Sequence, residues 1–579
     1  MMLAKRATHL LTLAVVALTA CTTDGSSTDV IPEAWRYALN TAPVAAEHGM
    51  VVTTDEVASR VGVDILEAGG NAVDAAIATS FALAVVNPEA GNIGGGGFMV
   101  VRMADGQADA LDYRERAPLA ATRDMYLDAE GNLTDESVVG HLAAGVPGTV
   151  MGMWDAHERF GTLSWSDLLA PAIELADGFP VHERFRTNLV NSEAGIRRFE
   201  TTRQTFLPDG DIPAIGESYA LPDLANTLRR IQEDGPEGFY EGETADLIVA
   251  EMERGGGIIT HEDLATYRTA WREPVRFTYR SHTVYSMPPS SSGGVTMAEM
   301  ANMLEAYDLK ALGWHSTGML HLMAEAWRRA FSDRNEYLAD PDFVDMPLER
   351  MTSKAYAAER GSDIRTFKAT PSSDIGPGME LPEEGENTTH FSIVDEAGNA
   401  VAVTTTLNSW FGGKVTVAGA GFVMNNEMDD FAAKPGTPNQ FGLVQGERNA
   451  VEPGKRMLSA MTPSIVLDPS GRLFFVSGTP GGSTIITTVF QTIVNVIDYG
   501  MNVREAVNAP RIHHQHLPDQ IFAEAGGLAA ATVSELEALG HTVVIREGVS
   551  GDAQAIMIMP DGTLQGASDP RRGGKAVGY

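Results

Sequence analysis

Residues 366–387 read TFKATPSSDIGPGMELPEEGEN, so rich in Pro, Gly, Ser and Glu that neither a helix nor a strand is expected to run through them. Any fold must accommodate a break there. Directly after it, residues 388–394 (TTHFSIV) and 400–406 (AVAVTTT) flank a turn at 395–399, which reads as a β-hairpin with a longer loop. The expectation is a new structural unit beginning at Thr388. Strand-like runs at 464–467, 473–476, 543–546 and 555–559 and helical segments at 484–499 and 528–539 follow. Such a mixture suggests stacked sheets flanked by helices, a layered α/β or α+β arrangement.

Before the break the texture is mostly helical. Val57, Val61, Val63 and Leu66, then Val73, Ala76, Ile77, Phe81 and Val85, keep helical spacing on either side of Gly69-Gly70, so residues 55–86 read as helix, turn and helix. Residues 166–177, 221–234, 244–254, 297–307 and 319–338 also look helical, and 275–287 is strand-like. The glycine-rich run GNIGGGG at 91–97 leads into the apolar strand type FMVV. Phosphate-cradling loops need strand, loop, helix in that order, so a phosphate role is weakly supported here.

Forty-two Lys and Arg stand against 77 Asp and Glu, a formal net charge of -35. A field of that sign repels phosphate backbones, which argues against nucleic acid as a partner. The one cysteine, Cys21, closes a stretch with the parts of an export signal: Lys5 and Arg6, then the apolar run LLTLAVVALTA at 10–20. That run is too short to span a bilayer, which takes about 20 apolar residues. Leu18-Thr19-Ala20-Cys21 resembles a bacterial lipobox, so residues 1–20 are expected to be a signal peptide and Cys21 a lipidated first residue of a polar tether over 21–40. The expected location is the periplasm, lipid-anchored to a bacterial membrane, the outer membrane favoured by Thr22 after the cysteine. A plain secretory signal with an incidental cysteine is the alternative. With no second Cys, no internal disulfide can form.

Thiol chemistry is thereby excluded from the mature chain. No Gly-x-Ser-x-Gly elbow or Ser-x-x-Lys motif stands in a strand-to-helix setting. His513, His514 and His516 lack the spacing of a zinc protease and read as hydrogen-bonded histidines, so no metal site is assigned. What remains is a hydroxyl that gains power by becoming a chain terminus. A Thr at an N-terminus carries its own base, because a free α-amine titrates near neutrality, about 7.7–8.0. Thr388 could do this only after the bond from Asn387 is cut. Most threonines that open strands are simply good β formers, so position alone does not decide.

Several separated motifs add to that reading: Asp112-Tyr113-Arg114-Glu115, Gly140-His141-Leu142, Ser286-Met287-Pro288-Pro289 with 290–294, Thr388-Thr389-His390-Phe391-Ser392, Thr406-Leu407-Asn408, NNEMDDF at 425–431, SGTPGGS at 477–483, Asn508-Ala509-Pro510-Arg511 and Ala567-Ser568-Asp569-Pro570. In order and spacing the chain resembles the γ-glutamyltranspeptidase family from about residue 40 to Tyr579. The resemblance implies an α+β, four-layer αββα sandwich of the N-terminal-nucleophile hydrolase type. It further implies self-cleavage between Asn387 and Thr388, giving a large subunit (41–387) and a small catalytic subunit (388–579) that build the sandwich jointly and remain associated. Thr388 would be the nucleophile, Thr406 would orient it, and the Gly481 and Gly482 amides would hold the oxyanion. Arg114, Asn408, Glu427, Asp430 and Ser459 would bind the glutamyl head, Arg114 at the carboxylate and the two acids at the ammonium. The implied substrates are glutathione and other γ-glutamyl compounds, with water, amino acids or peptides as acceptors and no cofactor.

Two positions depart from the pattern. Ala460 follows Ser459 where bacterial members commonly have a second serine, and Phe441 stands where many carry tyrosine. These leave the chemistry intact but bear on substrate choice. An acylase for another group, such as the glutaryl chain of a cephalosporin, and an inactive binding lipoprotein are the rival readings.

Overall fold

The computed structural model describes residues 31–375, 388–548 and 550–579. The signal segment, Cys21 with the first part of the tether, and Asn387 with the second half of the break therefore lie outside the described residues. No helix among those described is long and apolar enough to cross a membrane.

Two seven-stranded antiparallel sheets form the centre. One runs Lys575–Gly578, Met50–Thr53, Thr389–Val394, Ala400–Thr406, Gly96–Arg102, Ala108–Tyr113 and Ala270–Arg272. The other runs Val44–Ala46, Leu564–Ser568, Gln554–Ile558, Leu473–Gly478, Ser464–Leu467, His282–Ser286 and Val275–Tyr279. Their central strands are apolar on both faces because both faces are covered. Met99, Val101, Leu111, Ile393, Val401 and Val403 point into a core shared with helices Glu56–Glu67 and Ala72–Val86. The alternate residues Phe98, Val100, Ala110, Ala400 and Ala402 point the other way, toward the face of the other sheet that carries Ile465, Val476 and Ile556. Helices Gly293–Leu304, Thr484–Ile497 and Val503–Asn508 cover that sheet's outer side. The order is helix, sheet, sheet, helix, the αββα sandwich that the family resemblance implies.

Thr388 does not open a separate unit. The strand that follows it lies between Met50–Thr53 and Ala400–Thr406, and both sheets mix strands from either side of the break. A strand with both edges hydrogen-bonded cannot stand alone, so the two portions share one fold. Residues 275–287 are likewise two strands, hinged at Arg280 and Ser281, whose φ values of 47° and 67° give the tight turn of a hairpin. Nothing in their composition marks that turn, since neither is Gly or Asn.

The glycine-rich run has a packing explanation. A Cβ on Gly94 would fall 2.1 Å from the Val423 carbonyl oxygen, and one on Gly95 would fall 2.1 Å from that of Thr406 and 2.8 Å from Asn92 Oδ1. Two backbones approach here more closely than any side chain allows. Asn92 Nδ2 donates to the Thr406 carbonyl at 2.8 Å, and Asn92 Oδ1 accepts from the Gly95 amide at 2.9 Å. The run thus seats the end of the Ala400–Thr406 strand. We expect Gly95→Ala to cost about 1–3 kcal/mol of stability, as overpacking of a tight core does. Gly318→Ala in helix Thr317–Tyr337, whose Cβ would meet nothing closer than 3.5 Å, should be neutral or slightly stabilising. Urea midpoints of the two variants check this; equal midpoints would contradict it.

Candidate active site

Strand pairing decides what stands beside Thr388. In the hairpin Thr389 faces Thr405, so Thr388 and Thr406 are the next residues of the two strands, and their Oγ1 atoms are 3.5 Å apart. Thr388 is buried. Thr406 Oγ1 also accepts from the Asn408 amide at 2.7 Å. Asn408 has φ 72°, in the left-handed region that Asn tolerates better than most residues, and turns the chain sharply out of the sheet. Its Nδ2 donates to the Asn426 carbonyl at 2.9 Å. Asn425 in turn donates to the Gly94 and Gly145 carbonyls at 2.9 and 2.8 Å, and its Oδ1 accepts from the Gly145 and Glu427 amides. These amide side chains tie the loop carrying Glu427 and Asp430 to the end of the Thr406 strand.

Glu427–Asp430 is a single turn of 3-10 helix, which sets the two acids side by side around Arg114. Arg114 NH1 lies 2.5 Å from Glu427 Oε2 and 3.5 Å from Glu115 Oε2; NH2 pairs with Asp430. The Arg114 Nε donates to the Met457 carbonyl at 3.3 Å. Arg114, Glu115 and Glu427 are each 0% exposed. One guanidinium therefore faces three carboxylates away from bulk solvent. Burial would lower the Arg114 pKa, but Glu427, Asp430 and Glu115 raise it, so the guanidinium stays charged. The acids respond oppositely: loss of water pushes Glu115 up to about 8, Glu427 well above the usual carboxylate range and Asp430 upward, with Arg114 only partly opposing. The cluster is short of positive charge.

Arg114, Thr388, Thr406, Asn408, Glu427, Asp430, Ser459 and Gly482 line one pocket, closed by Phe441, Leu458, Ala460 and Ile485. It encloses only about 20 Å³, room for a water molecule. Ser459 is held by its amide to the Ser290 carbonyl at 2.9 Å, and its Oγ accepts from the Met461 amide at 3.1 Å. Gly481 and Gly482 have φ 138° and 53°, conformations that favour glycine. Gly482 lines the pocket while Gly481 stands behind it, its carbonyl accepting from Thr484. Phe441 is buried in the core of the second sheet, and the loop bearing it is tied down by Asn439 Oδ1, which accepts from the Phe441 and Leu443 amides at 3.0 and 3.1 Å.

Eight of the nine residues proposed for catalysis and binding thus meet in one pocket, with Gly481 directly behind. Glu115 was missed as a member of the cluster. In Arg114-Glu115-Arg116 it looks like surface charge, and only its place in the quoted motif singled it out. His513 and His514 are hydrogen-bonded as expected: His513 Nδ1 lies 2.8 Å from Thr487 Oγ1 and His514 Nε2 lies 3.0 Å from Arg328 NH2. A different trio, His321, Glu325 and His541, brings potential metal-ligating atoms within 4.8 Å. Both Glu325 oxygens already pair with Arg328 and Arg329, which makes the trio a poor cation site.

The fold and a strand-opening threonine at a pocket define the class of N-terminal-nucleophile hydrolases. Within it, the family model described as gamma-glutamyltranspeptidase matches residues 58–579, and the chain belongs to that family. It is 49% identical over 533 residues to the glutathione hydrolase proenzyme of Escherichia coli, covering 91% of each chain. Among solved structures, a cephalosporin acylase from Bacillus halodurans superposes with a TM-score of 0.82 at 30% identity, covering 95% of this chain and 99% of that one. The gamma-glutamyltranspeptidase of Helicobacter pylori gives 0.56 at 43% identity, covering 60% of this chain and 99% of that chain.

The raised carboxylates give stability a sign with pH. Glu115, ordinarily at 4.5, keeps its proton in the folded state to about 8, whereas the unfolded chain releases it near 4.5. Its contribution is complete below 4.5 and is lost as pH rises through about 8. Glu115→Gln should flatten the fall in stability across that window by up to about 1.4 kcal/mol per pH unit, one proton's worth. Denaturant titrations at a series of pH values test it, and parallel curves for variant and wild type would refute it.

Proposed function

We propose that the chain is a γ-glutamyltransferase and glutathione hydrolase, made as a proenzyme in which Thr388 becomes the N-terminal nucleophile of a small subunit (388–579) held to a large one (41–387). The observation that carries this reading is the sharing of one pocket by Thr388 and the Arg114, Glu427 and Asp430 cluster. A nucleophile stands there beside groups matched to an α-amino acid head.

In the precursor, Thr388 Oγ1 attacks the Asn387 carbonyl carbon, the Asn387–Thr388 C–N bond breaks, and the Thr388 nitrogen takes a proton. Water opens the resulting ester, leaving Asn387 with a carboxylate and Thr388 with a free α-amine. In the mature enzyme that amine accepts the proton of Thr388 Oγ1 as the oxygen attacks the γ-carbonyl of glutathione. Thr406 orients the hydroxyl, and the Gly481 and Gly482 amides stabilise the oxyanion, a contribution worth several kcal/mol where single donors have been removed. The protonated amine passes its proton to the leaving cysteinylglycine nitrogen, and water or another amine then releases the γ-glutamyl group.

Charge decides the acyl preference. A γ-glutamyl head carries an α-ammonium that supplies what the cluster lacks, and its α-carboxylate competes for Arg114. A glutaryl group carries no ammonium and would leave the excess of acid uncompensated, which disfavours the acylase reading. Because the unliganded pocket is so small, the head must displace Arg114 from Glu427 or Asp430 as it enters, or shift Phe441. Ala460 removes one hydroxyl from the carboxylate side and Phe441 closes the pocket without one.

Intact-mass measurement under denaturing conditions should resolve purified wild type into two chains, the smaller beginning at Thr388, while Thr388→Ala stays whole. A single uncut wild-type chain would sink the mechanism. On matched p-nitroanilides the processed enzyme should favour the γ-glutamyl over the glutaryl substrate by more than about tenfold in kcat/KM, the equivalent of about 1.4 kcal/mol. Comparable rates would favour the acylase instead.

Residues 1–20 fit an export signal and Cys21 a lipid attachment point, so we place the enzyme in the periplasm, anchored by Cys21 to a bacterial membrane and in preference the outer one. Metabolic palmitate labelling should mark wild type and vanish in Cys21→Ala; an unlabelled wild type would remove the anchor.

A further inference from the structure

Beyond Arg114, cations stand in two places near the head-binding pocket. A large cavity of about 630 Å³, lined by Arg184, Lys414, Arg571 and Arg572, adjoins the pocket where Ser409 follows Asn408. The other cation is Arg334, in helix Thr317–Tyr337, and it is absent from the pocket's lining. Arg334 is 0% exposed and has no carboxylate in ion-pair reach among the described residues. Its Nε donates to Ser292 Oγ and its NH1 to Asn335 Oδ1, each at 2.9 Å, while NH2 has no hydrogen-bond partner among those residues. A guanidinium buried among neutral groups is costly, so its charge has to be balanced from farther away.

Two paths lead from Arg334 to the pocket. In the first, Ser292 Oγ accepts from Arg334 and donates to the Ser459 carbonyl at 2.6 Å, and the Ser292 amide donates to that same oxygen at 2.8 Å. Ser459 lines the pocket, so the serines at 290–292 give it a seat. The second path reaches Asp430. Asn335, the next residue of the helix, accepts from the Gly446 amide at 3.3 Å, and the neighbouring Gln445 Nε2 donates to the Asp430 carbonyl at 3.0 Å. Across this contact the charges act on each other: burial lowers the Arg334 pKa to about 10 and Asp430 opposes the fall, so the guanidinium stays charged at neutral pH. Burial raises Asp430, opposed by Arg114 and then by Arg334. The other acids around Asp430 are Glu427 and Glu115, which share Arg114 with it, and Asp429, which is pushed up to about 6 chiefly by burial and is engaged by Ser137 and the Gln440 amide.

We propose that Arg334 is a positioning residue for the γ-glutamyl head: without touching the ligand it supplies Asp430 with the charge it needs to meet an α-ammonium, and through Ser292 it holds Ser459 in place. The inference rests on the γ-glutamyl reading above. When a head enters, its α-carboxylate draws on the Arg114 guanidinium, and Asp430 then has to face the ammonium as an anion. A cation outside the pocket, which no ligand can recruit, keeps the acid ionised through that exchange.

L-Glutamate and glutarate differ only in the α-ammonium, so their competition with γ-glutamyl-p-nitroanilide isolates it. The ratio of their inhibition constants across a pH series, corrected for each ligand's own ionisation, cancels titrations that affect both, the Thr388 amine among them. In wild type the preference for glutamate should fall with decreasing pH as Asp430 gains its proton. Arg334→Gln keeps a donor for Ser292 but no charge and should move the midpoint of that fall upward by about one pH unit, since losing a nearby cation raises a carboxylate. Arg334→Lys should bring the midpoint back toward wild type. Arg334→Met serves if the Gln variant does not mature, because apolar replacement of a buried charge is often tolerated. Ser292→Ala should leave the midpoint in place and weaken both inhibitors alike by about fivefold, one hydrogen bond's worth. Neutral variants that weaken both inhibitors with no movement of the midpoint, or a midpoint as high in Arg334→Lys as in Arg334→Gln, overturn the role at Asp430; unaltered inhibition in Ser292→Ala overturns the role at Ser459. Failure of wild type to release p-nitroaniline would instead sink the γ-glutamyl reading, and this inference with it.

Discussion

The pairing of Thr389–Val394 with Ala400–Thr406 is the constraint on which the site depends. Its register leaves Thr388 and Thr406 as the next pair. Because the first strand is also bonded to Met50–Thr53 and the second to Gly96–Arg102, neither can slide without breaking ladders contributed by distant sequence. A slip of one residue would turn every side chain of the strand to the opposite layer, exchanging the helix-side core for the inter-sheet core. The hydroxyl pair is thus held by the whole sandwich rather than by local contacts. The glycine run at 91–97 belongs to the same constraint, since only bare backbone fits against the end of the Thr406 strand.

Around that fixed pair the protein keeps an electrostatic imbalance. A buried guanidinium with one carboxylate would be a closed ion pair; with Glu115, Glu427 and Asp430 it is a site that holds protons it would lose in water. Such an arrangement is costly for the unliganded fold and favourable once an ammonium arrives. The adjoining large cavity has the opposite imbalance, cations without lining acids among the described residues. The two cavities adjoin at the Asn408-Ser409 step.

Much of this was legible in one dimension. Hydrophobic spacing placed the paired helices at residues 55–86, alternation and the polar break placed the hairpin, and separate short motifs named the residues of the pocket. Other features were hidden for identifiable reasons. Arg114-Glu115-Arg116 has the composition of a solvated surface, and its burial follows from the Met457 carbonyl and the acids of a segment some 310 residues away, at Glu427 and Asp430. The turn at Arg280-Ser281 carries no glycine or asparagine to announce it. The wall of the large cavity gathers Arg184, Lys414 and Arg572, each an ordinary basic residue in its own neighbourhood.

The sequence by itself determined the local elements, the absence of any internal disulfide and the residues that line the pocket as motifs, because periodicity, residue chemistry and motif spacing are properties of neighbours along a chain. Tertiary structure alone decided that the two sides of the break share both sheets, that one arginine faces three carboxylates, and that cations converge on a second cavity. Those outcomes depend on which distant strands pair and on which charges lose their water, and both are fixed only when the layers close on one another.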